Sequence, residues 1–383
     1  MSGISYRVCL LAVVVLGCLG PAAASDIEDM QWFAPRDLSF FGSAPRANEG
    51  FFFAYEGLVW AIPKPGRAAI GLEGATRLVY LSETIQAVET NTMTNSFIKG
   101  DTTGGHRFDL GFMTRHSGWY FSAFRLNPET TRHTAHGVSI VFNDPPFGPS
   151  PPRYHLQGPI DTLLTRIENL PVRFDTVNFK NRVEVQNFEL SYVYRLHPNH
   201  WGGFFEVLAG ARYLEFDEQI WVVAQGGTLD ETSWKHTSEN HIIGPQLGGR
   251  WFRKFGNWTW STEGRFLFGF NRQNFHQNGF FGFNLTPDTL VQYQISNMGP
   301  SYFASSAFED EFSPVIETRI GASYQITRAI SARVGWTGIW VDNIARATTS
   351  INYEVPRMGI DLSRNADGYA FIHGVTFGLD INR

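Results

Sequence analysis

The sequence predicts an all-β protein: a transmembrane antiparallel up-and-down β-barrel of about ten strands, with short periplasmic turns and long outer loops. Three observations carry this prediction. Strand-length runs alternate apolar and polar residues with period two, the connections between them alternate short and long, and the composition is rich in aromatics and poor in charge.

The N-terminus comes first because it sets the compartment. Arg7 precedes an apolar stretch from Val8 to Leu16, and Ala22-Ala23-Ala24 offers an A-x-A cleavage site before Ser25. This layout predicts a signal peptide over 1–24, an N-terminal periplasmic segment over 25–49 and the barrel over 50–383, placed in the outer membrane after export. A lipoprotein reading at Cys18 competes, against the large Leu16 where a small residue is usual. Both cysteines, Cys9 and Cys18, lie in the leader, so neither disulfides nor thiolate chemistry is expected of the mature chain. Charged residues make up 17%, against about 25% in a soluble domain, and aromatics 15%, with 33 Phe. The net charge of −5 opposes nucleic-acid binding, which requires a basic face. No apolar run of about 18 residues follows the leader, so any crossing of a membrane is made by strands.

The strands follow in order. A lone strand, Phe51 to Trp60, opens the series. Arg107 to Arg115 and Trp119 to Leu126 form a hairpin about His116-Ser117-Gly118. From 183 to 196 the alternation is unbroken: Phe188, Leu190, Tyr192, Tyr194 and Leu196 share one face, and Asn187, Glu189, Ser191, Val193 and Arg195 the other. Phe205 to Tyr213 returns after His197-Pro198-Asn199-His200. His241 to Phe252 pairs with Thr259 to Phe270, and Val315 to Tyr324 with Ile330 to Val341; Ala370 to Ile381 closes the set. The long connections are then 61–106, 127–182, 217–240, 271–313 and 342–368. An even strand count with both ends on the short-turn side suits a closed outer-membrane barrel. Trp119, Trp201, Trp251 and Trp258 beside the short turns suit an interfacial girdle. A twelve-stranded alternative adds Thr76 to Leu81 and Gly137 to Phe142. A soluble β-sandwich would share the alternation but not the loop-length asymmetry.

With the apolar face toward lipid, the other face lines the lumen. Acids and arginines recur there at even spacing: Asp109 with Arg115, Glu189 with Arg195, Glu206 with Arg212, Glu263 with Arg265, Glu317 with Arg319. Arg107, Arg125, Arg250 and Arg333 join them as lumen-lining candidates. Such charges either tie a narrow wall together by ion pairs or select solutes in a conduit.

Glu56 to Trp60, Gly210 to Glu218, Asn240 to Gly248, the hairpin Glu317 to Trp340 and the ending His373 to Leu379, taken in order, resemble the planctomycete family of outer-membrane barrels called beta-barrel porin-7. Pro245 and the ending Ile381-Asn382-Arg383 depart from its usual pattern. The resemblance implies a porin-like barrel in outer-membrane lipid, inserted by barrel-assembly machinery. The expected function is a passive conduit for small solutes or ions, with a non-conducting surface-interaction barrel acting through its outer loops as the alternative. No enzyme, cofactor or metal is expected: His133, His136 and His155 lack a carboxylate partner at fixed spacing, and His373 faces outward near a strand end.

Overall fold

The computed structural model describes residues 50–70, 76–81, 84–89, 93–138, 141–142, 156–157, 171–172, 174–198, 203–226, 230–282, 300–327, 329–352, 358–364 and 368–382. The expected leader and periplasmic segment, His155, Trp201 and most of residues 143–170 lie outside these residues.

The main sheet contains thirteen strands among the described residues. They are β1 (Gly50–Ile62), β2 (Asp101–Met113), β3 (Ser117–Leu126), β4 (Glu129–Val138), β5 (Phe174–Arg195), β6 (Gly203–Gln225), β7 (Thr232–Phe255), β8 (Trp258–Leu267), β9 (Phe270–Phe281), β10 (Ser301–Phe312), β11 (Val315–Gln325), β12 (Ile330–Ile344) and β13 (Gly368–Asn382). Ten of them close a ring in the order β6-β5-β3-β2-β1-β13-β12-β11-β8-β7, and β7 pairs back onto β6. Every pairing is antiparallel, and the first and last strands meet, Phe52 opposite Asn382 through Ala61 opposite His373. Closure leaves no ring edge with unpaired backbone groups, the condition for a sheet in hydrocarbon. All ten expected strands are in this ring. Of the twelve-stranded alternative, Thr76–Leu81 and Val141–Phe142 fall in a separate small sheet built on Thr84–Glu89, while Gly137 and Val138 end β4 in the main sheet, outside the ring.

The ring is not the whole molecule. β5, β6 and β7 run on at the long-loop end, flanked by β4 on β5 and by β9 and β10 beyond β7. This open extension replaces much of three expected loops: the connection between β6 and β7 shrinks from 217–240 to 226–231. The hand-over from ring to extension is marked by prolines. β3 and β4 are parted at Asn127-Pro128, and β10 and β11 at Ser313-Pro314, where proline cannot donate to a ladder. Pro245 has the same role: it lies opposite the break between β8 and β9, and its carbonyl accepts a bond from the Phe268 amide at 3.0 Å. At the opposite end, tight turns close the hairpins; Gly256, at φ +59°, supplies the left-handed residue between β7 and β8.

A broad apolar belt covers the outside of the ring. Phe51, Phe108, Leu110, Trp119, Phe188, Leu190, Tyr194, Leu247, Trp258, Trp260, Phe377 and Leu379 are all exposed. Above Phe188, Tyr213 and Ile243 the pattern inverts: Val183, Val185, Leu214, Phe216, Ile220 and Ile242 turn inward, and polar residues face out. The inversion marks where lipid gives way to water.

Candidate functional site: the filled lumen

The inward residues form stacked layers inside the ring. The charged layer follows from strand parity, because Glu56 on β1, Arg107 and Asp109 on β2, Glu189 on β5 and Arg212 on β6 alternate with lipid-facing residues. Glu263 and Arg265 on β8 and Glu317 and Arg319 on β11 do the same. Cross-strand register brings the signs together, with Glu189 opposite Arg212 and Arg265 opposite Glu317.

Glu317 is the hub. It takes ion pairs from Arg212 and Arg319, and Arg107 Nη2 lies 3.8 Å away. Arg107 also reaches Glu56 at 3.2 Å, and Arg333 reaches the other oxygen of Glu56 at 3.2 Å. Arg265 bridges Glu189 and Glu263, while Arg319 donates to the Tyr120 hydroxyl at 3.1 Å. Toward the short turns, Glu206 is clamped by Arg195 at 2.7 Å and Arg250 at 2.5 Å. Asp380 pairs with Arg333 at 3.4 Å. Seven arginines thus face seven carboxyls, Asp109 included, and the layer is formally neutral.

Toward the long-loop end lies an apolar layer. Leu58, Trp60, Phe124, Leu126, Val183, Val185, Leu214, Phe216, Ile242, Leu267, Val315, Ile339, Val341 and Ile372 pack as one cluster, fed by every ring strand except β2. Trp60 meets Phe124 edge-on at 5.1 Å, and Arg107 lies 5.0 Å from the Trp60 ring, joining the two layers. Above it, the segment after β12 folds across the mouth. Arg346 pairs with Glu218 at 2.7 Å, Asn240 brackets Ala345 through both its amide atoms, and His236 bonds Ser350 at 2.9 Å. Burial pushes the His236 imidazole down to about 4, so it sits there neutral.

Exposure decides what this arrangement can do. Arg107, Glu189, Glu206, Arg212, Arg265 and Glu317 are each no more than 3% exposed, and Trp60 and Leu126 are 0% exposed. A side chain that buried has no water beside it, from the bulk or from an internal void. Arg250, Arg333 and Asp380 of the same layer are wetter, with side chains 18%, 24% and 29% exposed.

Of the fourteen lumen candidates, twelve point inward. Arg115 and Arg125 do not. Arg115 is exposed in the turn between β2 and β3, because β2 ends at Met113. Arg125 lies on the outer face, because β3 turns its even-numbered residues, Tyr120, Ser122 and Phe124, inward; it pairs with Glu184 at 3.5 Å. Sequence reading missed Glu56, Tyr120, Gln246, Asp380 and Arg346. The parity of Glu56 and Asp380 on their strands could have found those two; Arg346 comes from a loop and has no periodic signal. His133 stacks on Phe97 at 4.8 Å, and His373 on Phe371 at 5.0 Å. Among the described residues no group of three or more His, Cys, Asp or Glu could hold a metal ion.

The family model for beta barrel porin-7 (BBP7) matches residues 79–382, and the chain belongs to that family. No curated protein matches it. Three solved structures align at low identity. The outer membrane protease OmpT from Escherichia coli shares 8% identity at TM-score 0.42, over 88% of this chain and 98% of that one. The toluene transporter TodX of P. putida shares 9% at TM-score 0.14, over 90% of each. The toluene transporter TbuX of Ralstonia pickettii shares 8% at TM-score 0.14, over 88% and 90%.

Proposed function

We propose that this porin-family barrel is a non-conducting anchor in the outer membrane that works through its extracellular sheet extension. One observation supports this over a passive conduit: the central side chains of the charged layer and of the apolar layer beyond it are almost completely buried. A conduit needs a wetted pore whose charges meet the solute, and here every charge of the layer except Asp109 meets a protein charge instead. The neutral, interlocked pairs support a structural role, tying ring strands together by charge-assisted bonds. Nothing in this role calls for chemistry, and we assign the barrel no catalytic step. The segment across the mouth, held by Arg346, and the proline-marked extension support work done outside the membrane.

Swelling of liposomes loaded with small sugars tests the reading. Refolded, inserted protein is expected to leave the liposomes unswollen, like protein-free controls. Swelling that scales with protein content would overturn it and restore the conduit.

A further inference from the structure

The outer face of the extension carries a row of cations that no carboxylate among the described residues neutralises. In register across four strands, Arg132 on β4 stands opposite Lys180 on β5, Lys180 opposite Trp221 on β6, and Trp221 opposite Lys235 on β7. The Lys180 ammonium lies 4.7 Å from the Trp221 ring centroid and the Lys235 ammonium 5.1 Å from it. One ring therefore gathers two of the chain's five lysines. Among the described residues none of these three cations pairs with a carboxylate. The nearby surface arginines behave otherwise, Arg125 and Arg182 both reaching Glu184.

Four residues closer to the membrane on the same strands stand Glu184, Asp217 and Glu239, themselves in register. At about 3.3 Å per residue the two rows are roughly 13 Å apart, beyond a Debye length in physiological salt. Acids that could have neutralised the lysines are thus set apart from them, in a chain whose net charge is −5. Beside the cationic row a cleft of about 340 Å³ is lined by Arg132, Thr134, Asn178, Lys180 and Trp221, with His133, Phe179 and Val223 completing a largely apolar wall. The Thr134 hydroxyl donates to Asn178 Oδ1 at 2.8 Å, so the Asn178 amide nitrogen keeps its donors for a ligand. That volume lies at the small end of ligand sites and suits one or two sugar rings.

We propose that this cleft binds an anionic saccharide, a sugar carrying phosphate, sulfate or carboxylate groups. The proposal rests on the extension lying outside the cell. The paired ammonium groups and Arg132 take the anion, the Asn178 amide donates to ring hydroxyls, and Trp221 holds the lysines in place.

Refolded full-length protein in detergent micelles is titrated with a fluorescein-labelled dextran sulfate oligomer, with uncharged dextran of the same length as comparator. Dextran sulfate is expected to bind and dextran not. K180Q/K235Q should weaken binding about ten-fold or more, through loss of charge-assisted contacts. W221A should weaken it with no change of charge, and W221F should restore part of it. K64Q/K99Q, with the same charge change on two other exposed lysines, should leave it within about two-fold. Three results overturn the proposal: no binding to dextran sulfate, equal weakening by both lysine pairs, or row-dependent retention of anionic lipid without saccharide binding. None of these outcomes depends on whether the barrel conducts.

Discussion

At the residue scale, Glu317 is where the wall is most exposed to failure. Replacing it with Ala leaves Arg107, Arg212 and Arg319 short of a counter-charge in a dry layer, which costs about 3–5 kcal/mol. Glu184→Gln, at a wetter surface pair, should cost less than about 1 kcal/mol. Urea midpoints of the refolded variants check the contrast, and equal losses would mean that the charged layer is wet. Two groups outside the membrane give the extension an opposed pH response. Burial first, then the charge of Glu215 beside it, pushes the Asp217 carboxyl up to about 8, while Glu215 is held below the usual carboxylate range by bonds from Gln186, Asp217 and Tyr213. Between about pH 4 and 8 the folded Asp217 holds a proton that the unfolded chain has lost, so its contribution falls as pH rises through about 8. His236 acts the other way: its contribution is full above about 6.5 and is lost as pH falls toward about 4. Between about pH 4 and 6.5 the two responses offset each other, so stability should be level there and fall between about 6.5 and 8, and Asp217→Asn should flatten that alkaline fall. A profile in which Asp217→Asn falls as steeply as the parent would refute that assignment.

At the element scale, the ring was legible and the extension was not, for one physical reason. The alternation used to find strands was apolar toward lipid and polar toward the lumen, as from Phe188 to Leu196. Above the belt the phase inverts: Phe216, Ile220 and Val222 turn inward while Glu215, Asp217 and Gln219 face water. A strand followed by its lipid-facing pattern ends at Tyr213, although the backbone runs to Gln225. The same inversion hid β9 and β10 in an expected loop. Arg125 is misplaced for a different reason: β2 turns odd-numbered residues inward and β3 even-numbered ones, because the tight turn between them shifts the parity. Pro245, a departure from family pattern, proves to mark the break between β8 and β9. The close packing there predicts that Gly269→Val is destabilising by about 1–3 kcal/mol, since a Cβ would press on the Ser313 carbonyl, a backbone atom that cannot swing aside. Thermal melting of the refolded variant checks this, and an unchanged melt would mean the β9–β10 junction is looser than its bonds imply.

At the scale of the whole molecule, the barrel resolves a conflict between its two environments. Hydrocarbon outside demands a closed wall of apolar side chains, and strand parity then forces an equal number of side chains inside. With ten strands there is little room for water, so the interior is filled as neutral ion pairs below and packed hydrophobics above. That filling is the central claim, and single-channel conductance of refolded protein in a planar bilayer tests it most directly. Protein shown to be folded and inserted is predicted to give no steps at any moderate voltage. Steady ohmic steps, with an ion selectivity shifted by Arg212→Ala, would contradict it and show that the lumen is an open, charged pore.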